Sequence, residues 1–272
     1  MYASLQTADE TTLPGPLMAG LGDVRILHPP GTFALSPASL ISVQAIVGNQ
    51  DLLKGIGLDW GTGSGCLAIT AARIADVFHV AGLDISETSV ATAYKNASYN
   101  AVSDKTSFFV ANSYSPVDWR VRRALDSLER RVDFVLANPP ASEDDDGFGF
   151  RREVLKGARK YMAAGGVVLL GGSSRYGQRA KRLCDEVPEF SYGGVISSTG
   201  WVPFDLARPD YLRYLKQYAA EEERGGLDYR FQCNRVHAGE PINARRALAL
   251  FDATGLMPFM DWQMHLFRYN RN

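Results

Sequence analysis

The run Gly57-Leu58-Asp59-Trp60-Gly61-Thr62-Gly63-Ser64-Gly65 decides the fold. It joins a short apolar stretch (55–59) to a helical pattern of small and branched residues (66–77), and strand, glycine loop and helix in that order open a βαβ unit. Glycine lets a backbone approach a ligand closely and accepts positive φ. Glycines at alternate positions (61, 63 and 65) leave little room for side chains between the loop and whatever it holds. The dinucleotide fingerprint spaces its glycines as GxGxxG. Here the spacing is GxGxG, which sets a NAD-dependent dehydrogenase at a distance. A plain tight turn is the structural alternative.

Working outward, the alternation continues. A strand at 78–83 ends at Asp84, and a helix follows to about residue 100 with Ser86 as N-cap and Glu87 in its first turn. A strand at 107–111 precedes Asn112. A charged helix is expected at 116–131, with Ser115 as N-cap and Pro116 at its first position. The strand 132–137 runs into Asn138-Pro139-Pro140; a helix at 148–162, closed by Gly165-Gly166, leads to a strand at 167–170. Apolar strands alternating with helices give an α/β fold with a doubly wound, mostly parallel, Rossmann-like sheet, whose ligands lie outside the carboxyl ends of the strands.

The flanks are less regular. The first 25 or so residues read as irregular, 27–37 (LHPPGTFALSP) as turn-rich, and 39–47 as a short helix. Beyond 170 a helix at 179–187 and strands at 192–198 and 265–269 are expected, with helical pieces at 211–223 and 244–253. This divides the chain into an N-terminal extension or cap (1–50), a core (51–199), and a C-terminal insertion with the last strand of the core (200–272).

The informative residues sit at the strand ends. Asp84, 19 residues after Gly65, can accept both ribose hydroxyls of an adenosine-containing cofactor; its bland alternative is a carboxylate favoured by a helix N-terminus. Asn112 can donate to and accept from an adenine edge, or simply form a turn. Asp59, Thr62, Ile85 and Ser113 complete the candidate cofactor set. At the Asn138-Pro139-Pro140 tip two prolines fix two φ angles and remove two N–H donors. The tip is rigid and presents acceptors. An Asn oxygen and a neighbouring carbonyl can take both hydrogens of an NH2 group and aim its lone pair at a methyl donor, with positioning supplying much of the rate.

The ordered set GLDWGTGSG (57–65), GLDIS (82–86), AYKNASYN (93–100), FFVANS (108–113) and VDFVLANPP (132–140) resembles the class I S-adenosylmethionine (SAM)-dependent methyltransferases with an Asn-Pro-Pro-aromatic motif. The resemblance is strongest to the release-factor glutamine methyltransferase (HemK/PrmC-type) branch. It implies that Gly61, Gly63 and Gly65 hold the methionine part of SAM, that Asp84 binds ribose, and that Asn138 holds the acceptor nitrogen. It implies S-adenosylhomocysteine as product and places Phe33 and Pro37 near the cofactor. Two departures stand out. Ala141 occupies the place of the aromatic that stacks on the acceptor, so Phe148 or Phe150 is a candidate replacement. Asn112 occupies the place of an acidic residue.

Composition narrows the acceptor. Lys plus Arg is 29 and Asp plus Glu is 30, a net charge of −1, so the total carries no basic excess of the kind duplex binders show. The acidic run Glu143-Asp144-Asp145-Asp146 beside the tip would repel phosphates. The leading acceptor is therefore a protein or small-molecule amide or amine; a nucleobase amino group and a non-catalytic SAM-binding module are the alternatives. The basic residues Arg151, Arg152, Lys156, Arg159, Lys160, Arg175, Arg179, Lys181 and Arg182 read as solvated helix faces. Trp201 and Phe204 are lid candidates. The three cysteines and the four histidines (His28, His79, His237, His265) form no metal motif, so no metal is expected. No signal peptide or membrane span is read, and a cytoplasmic location is expected.

Overall fold

The computed structural model describes residues 9–142, 145–233 and 240–270. After an antiparallel pair, β1 (Glu10–Leu13) and β2 (Val24–Leu27), the chain passes through the proline-rich segment into α1 (Pro37–Gly48). Ser36 and Ser39 form a reciprocal capping box at its start. Strands and helices then alternate: β3 (Gly55–Trp60), α2 (Cys66–Ala72), β4 (Val77–Asp84), α3 (Glu87–Tyr99), β5 (Thr106–Val110), α4 (Trp119–Asp126), β6 (Val132–Ala137), α5 (Gly149–Tyr161), β7 (Met162–Ser173), α6 (Arg179–Glu186) and β8 (Phe190–Ser198). The chain continues through β9 (Val202–Pro203), α7 (Pro209–Glu223), α8 (Ala244–Thr254), β10 (Phe259–Met260) and β11 (Trp262–Tyr269).

Seven of these strands form one sheet in the order β5-β4-β3-β6-β7-β11-β8. The first five are parallel, and β11 enters antiparallel between β7 and β8. The doubly wound sheet expected from the sequence is the one the chain forms. Its strand order reverses between β3 and β6, which makes their carboxyl ends the topological switch point. Both faces are covered. One carries α1, α2 and α3 over Phe134, Leu136, Val167 and Leu169; the other carries α4, α5 and α6 over Val135, Ala137, Val168 and Leu170. Burial on both faces is why these strands read as continuous apolar runs.

Several boundaries differ from the sequence reading. The supposed irregular N-terminus contains β1 and β2; residues 1–8 lie outside the described residues. The helix α4 starts at Trp119, capped by Asp118, whose Oδ1 accepts from Arg120 N at 2.8 Å. Ser115 instead closes a tight turn onto Asn112 O at 2.9 Å, with Ser113 at φ 55°. Gly165 and Gly166 do not end a helix. Met162 is already extended (φ −63°, ψ 131°), and the two glycines lie in an irregularity of β7 where its pairing with β6 jumps from Met162 to Val167.

The basic helix faces are also revised. Arg151, Arg175 and Arg179 are buried. The Arg175 guanidinium lies 4.8 Å from the Tyr176 ring centroid and 5.1 Å from that of Trp262; Arg179 lies 4.5 Å over Tyr229. They join residues 199–261 to the core through an aromatic cluster in which Tyr218 stacks on Tyr229 at 4.0 Å. Phe204, a lid candidate, is instead fully buried against Tyr211. His237 lies outside the described residues.

What attaches the N-terminal pair is a substitute ladder. Asn96 and Asn100, one turn apart on α3, face the free edge of β2. Asn96 Oδ1 accepts from Leu27 N (2.9 Å) and its Nδ2 donates to Leu27 O (2.9 Å); Asn100 does the same for Arg25 N (3.0 Å) and O (2.7 Å). Asn96 Nδ2 also donates to Ser64 O at 2.8 Å, inside the glycine loop. The fully buried Asn96 thus ties together β2, α3 and the loop. Asn96→Ala leaves three backbone partners unmet, one buried and two part-buried, and is expected to cost about 2–4 kcal/mol, lowering the thermal midpoint by roughly 5–10 °C in a calorimetric scan.

Candidate active site

At the carboxyl end of β3 the glycine loop is wound tightly. Gly61, Gly63 and Gly65 have φ of 67°, 54° and 85°. A Cβ at 61 or 63 would enter open space, so those two backbones are bare toward the outside, whereas at 65 it would press on Ala93. Gly65 also caps α2.

Two carboxylates hold the loop. Asp84, at the end of β4, accepts from Gly63 N (2.8 Å) through Oδ2 and from Ser86 N (2.9 Å) through Oδ1. Asp59 is fully buried beneath the loop; its Oδ2 accepts from Thr62 Oγ1 (2.6 Å) and Ala68 N (3.1 Å). Its Oδ1 has no hydrogen-bond partner among the described residues. Burial pushes the Asp59 carboxyl up to about 7, against the two hydrogen bonds that lower it.

Around these residues, Ile85 is exposed (69%), Asn112 is exposed, and Ser113 Oγ accepts from Trp60 Nε1 at 2.8 Å. Trp60 lies 6.1 Å from Phe150, which is part-exposed on the first turn of α5. Phe33 is almost fully exposed (87%) and Pro37 exposed, both on the N-terminal segment leading into α1.

Asn138 follows β6 beside the loop. Its amide makes no hydrogen bond to any described residue, and its Oδ1 rests where a Cβ at Gly171 would lie only 2.3 Å away. Gly171 therefore makes room for this side chain. Pro139 is buried and Pro140 exposed. Ala141 packs partly into the core.

Phe148 corrects the sequence reading. It is 1% exposed and packed edge-on against Tyr176, so it has no face to offer an acceptor; Phe150, beside the buried Trp60, carries the exposed aromatic surface. Within the acidic run, Glu143 and Asp144 lie outside the described residues. Asp145 Oδ1 accepts from Ser142 Oγ and Gly147 N, both at 2.6 Å. Asp146 pairs with Arg152. Burial opposes ionisation there, yet the Arg152 guanidinium keeps the Asp146 carboxyl below the usual range.

The residue that sequence reasoning missed is Arg151. Its guanidinium donates to Gly171 O (2.9 Å), Gly147 O (3.0 Å), Pro140 O (3.2 Å) and Pro139 O (3.2 Å). Burial pushes it down to about 10, and no carboxylate pairs with it among the described residues. One side chain thus fixes the carbonyls of the Asn-Pro-Pro tip, of β7 and of the approach to α5. In the sequence it is one of several basic residues at helical spacing, and nothing marks it as buried. Trp60 was visible inside the glycine run, but its pairing with Phe150 was not.

Residues 23–187 match the methyltransferase small domain family. The chain belongs to this family. Among its relatives are a release factor glutamine methyltransferase from Thermodesulfovibrio yellowstonii, 26% identical over 52% of this chain and 55% of that protein, and a ribosomal protein uL3 glutamine methyltransferase from Francisella tularensis, 24% identical over 50% and 48%. The chain thus spans about half the length of the curated relatives it matches. A solved ribosomal protein L11 methylase from Lactobacillus delbrueckii covers 58% of this chain and 71% of its own at 20% identity, with a TM-score of 0.44.

Two outcomes follow from the geometry. Arg151→Met removes the donor shared by four carbonyls and is expected to cost about 3 kcal/mol; faster amide exchange at Gly147 and Gly149 in mass-spectrometric labelling would localise the loss to the tip. The Asp59 carboxyl has a higher pKa folded than unfolded, so the folded state binds more protons between the two values. The free protein is therefore expected to lose stability as pH rises from about 4 to about 7 and to level off above. Urea titrations over that range should show the slope, and Asp59→Asn should lack it.

Proposed function

We propose that this chain is a SAM-dependent N-methyltransferase whose acceptor is the side-chain amide of a protein. The observation that carries the reading is the free Asn138 amide at the end of a proline-fixed tip, next to a bare glycine loop at the switch point of the sheet. The residues fit the cofactor. Gly61 and Gly63 offer a cradle that any Cβ would fill, and Asp59 Oδ1 is an orphaned buried acceptor suited to an ammonium. Asp84 lies at the ribose position, and Ile85, Asn112 and Ser113 line the way to an adenine, with Thr62 and Gly65 shaping the loop. SAM supplies an electrophilic methyl group on a sulfonium.

The chain's own residues then have one task, orientation. Asn138 Oδ1 and the remaining lone pair of the Pro139 carbonyl accept the two amide hydrogens. Pro139 and Pro140 hold those acceptors still, and Arg151 holds the prolines. Phe150, backed by the buried Trp60, offers the flat apolar face that Ala141 does not. Phe33 and Pro37 belong to the N-terminal cap (1–50), and the C-terminal insertion with the last strand (200–272) adjoins the core (51–199) and helps close the acceptor side. Among the described residues no helix is long and apolar enough to cross a membrane. The glutamine-modifying relatives support an amide acceptor on a translation protein and a cytoplasmic location.

Calorimetric titration with S-adenosylhomocysteine tests the cofactor half. Micromolar binding lost in Asp84→Ala is expected; binding of NAD instead would overturn the reading. Since an ammonium favours ionised Asp59, affinity is expected to rise up to about tenfold between pH 6 and 8, and to stay flat in Asp59→Asn. Radiolabelled methyl transfer onto release factors and ribosomal proteins tests the acceptor half. Asn138→Ala is expected to lower turnover at least about 100-fold with unchanged S-adenosylhomocysteine affinity.

A further inference from the structure

Of the basic helices singled out in the sequence, α5 is mostly spent, whereas Lys181 and Arg182 on α6 are exposed and make no ion pair among the described residues. On α5, Arg152 pairs with Asp146 and Glu186, Arg159 with Glu189 and Lys160 with Asp126, while Arg151 is buried. The α4 helix is different. Arg120, Arg122 and Arg123 are all exposed, and none makes an ion pair among the described residues. The acids nearest in sequence are mostly engaged: Asp118 caps the helix through Arg120 N, and Asp126 is held by Lys160, leaving Glu129.

The same helix start exposes apolar surface. Trp119 is 64% exposed and Val117 96%, and the Arg120 guanidinium lies 5.7 Å from the Trp119 ring centroid. A single exposed apolar residue is ordinary; here Val117, Trp119 and three arginines share one helix start. Its place in the fold gives it a use. The α4 helix follows β5, so its first turn stands at the carboxyl edge of the sheet, on the same face as α5 and six residues beyond Ser113.

We infer that the first two turns of α4 dock single-stranded RNA, with Trp119 stacking on a base and Arg120, Arg122 and Arg123 meeting phosphates. Arg122 donates to Pro116 O (3.3 Å) and Arg120 lies over Trp119, but no carboxylate neutralises any of the three among the described residues. Their charge therefore matches a phosphate chain, and the flat aromatic beside them an unstacked base. An acidic protein would use the arginines and leave Trp119 idle. The inference goes beyond methyl transfer and does not require it: RNA binding is read without cofactor or acceptor, so an inactive enzyme would leave the test intact.

The test is fluorescence anisotropy of a labelled mixed-sequence RNA 12-mer with the full chain at 50–200 mM KCl, together with tryptophan quenching. Binding at about 1–100 μM at low salt is expected. Trp119→Ala should weaken it roughly 5- to 100-fold and remove the quenching, and Trp119→Phe should restore most of the affinity. R120Q/R122Q/R123Q should reduce the slope of log affinity against log salt by about 2, at about 0.7 per phosphate contact. K181Q/R182Q on α6 should change nothing. Circular dichroism confirms that each variant is folded. Absence of binding at 50 mM KCl overturns the inference. So does equal weakening by the α6 variant, or poly-glutamate binding as tightly as RNA and indifferent to Trp119→Ala.

Discussion

A guanidinium cannot be left dry without acceptors, and that constraint organises the acceptor side of this molecule. Buried Arg151 finds no carboxylate among the described residues and takes four carbonyls instead. Those carbonyls come from the Asn-Pro-Pro tip, the top of β7 and the turn entering α5. One donor group thus ties three separate segments of the chain. Phe148 packs beneath the guanidinium, 5.0 Å from it, which is why that ring is unavailable outside. Ala141 then suffices after the prolines, because the tip is held from behind.

The cofactor side follows the opposite logic. There the buried charge is a carboxylate, Asp59, satisfied on one oxygen by the loop and unsatisfied on the other. Asp84 locks the next stretch of the same loop through Gly63. The positive φ angles that make the loop bare are therefore supported by two acidic side chains, and strain at the glycines is met by hydrogen bonds next to them. Acceptors with no bound hydrogen and backbone with no side chain lie on either side of the same strand ends. A rigid site that needs only to orient its reactants is consistent with that division.

The N-terminal pair shows how an extension is kept without enlarging the sheet. Asn96 and Asn100 present amides where a strand would present its backbone, so β2 completes its hydrogen bonding against a helix. The spacing of four residues puts both amides on one helix face. Since Asn96 also reaches Ser64, the N-terminal pair and the glycine loop are tied by the same side chain.

The sheet was legible in the sequence because its strands are apolar on both faces and their ends carry glycine, aspartate and proline, residues whose backbone or short polar side chains act locally. Asp84 and Asn138 could be placed at strand ends from that pattern. Periodicity placed the basic positions on helices, yet it could not say which of them turned inward, because burial of a cation depends on acceptors that arrive from distant strands. It offered Ser115 as the cap of α4, and the fold used Asp118, since turn and cap compete within a few residues and packing of Pro116 decides between them. It took Gly165 as a helix stop, although the chain is already extended from Met162 and Gly165 lies in the irregularity of β7. The sequence by itself determined the order of elements, the bare loop and the rigid tip, all of which follow from local backbone preference. Only the tertiary structure decided that Arg151 is a clamp and that Phe148 is core, because these rest on contacts between residues far apart in the chain.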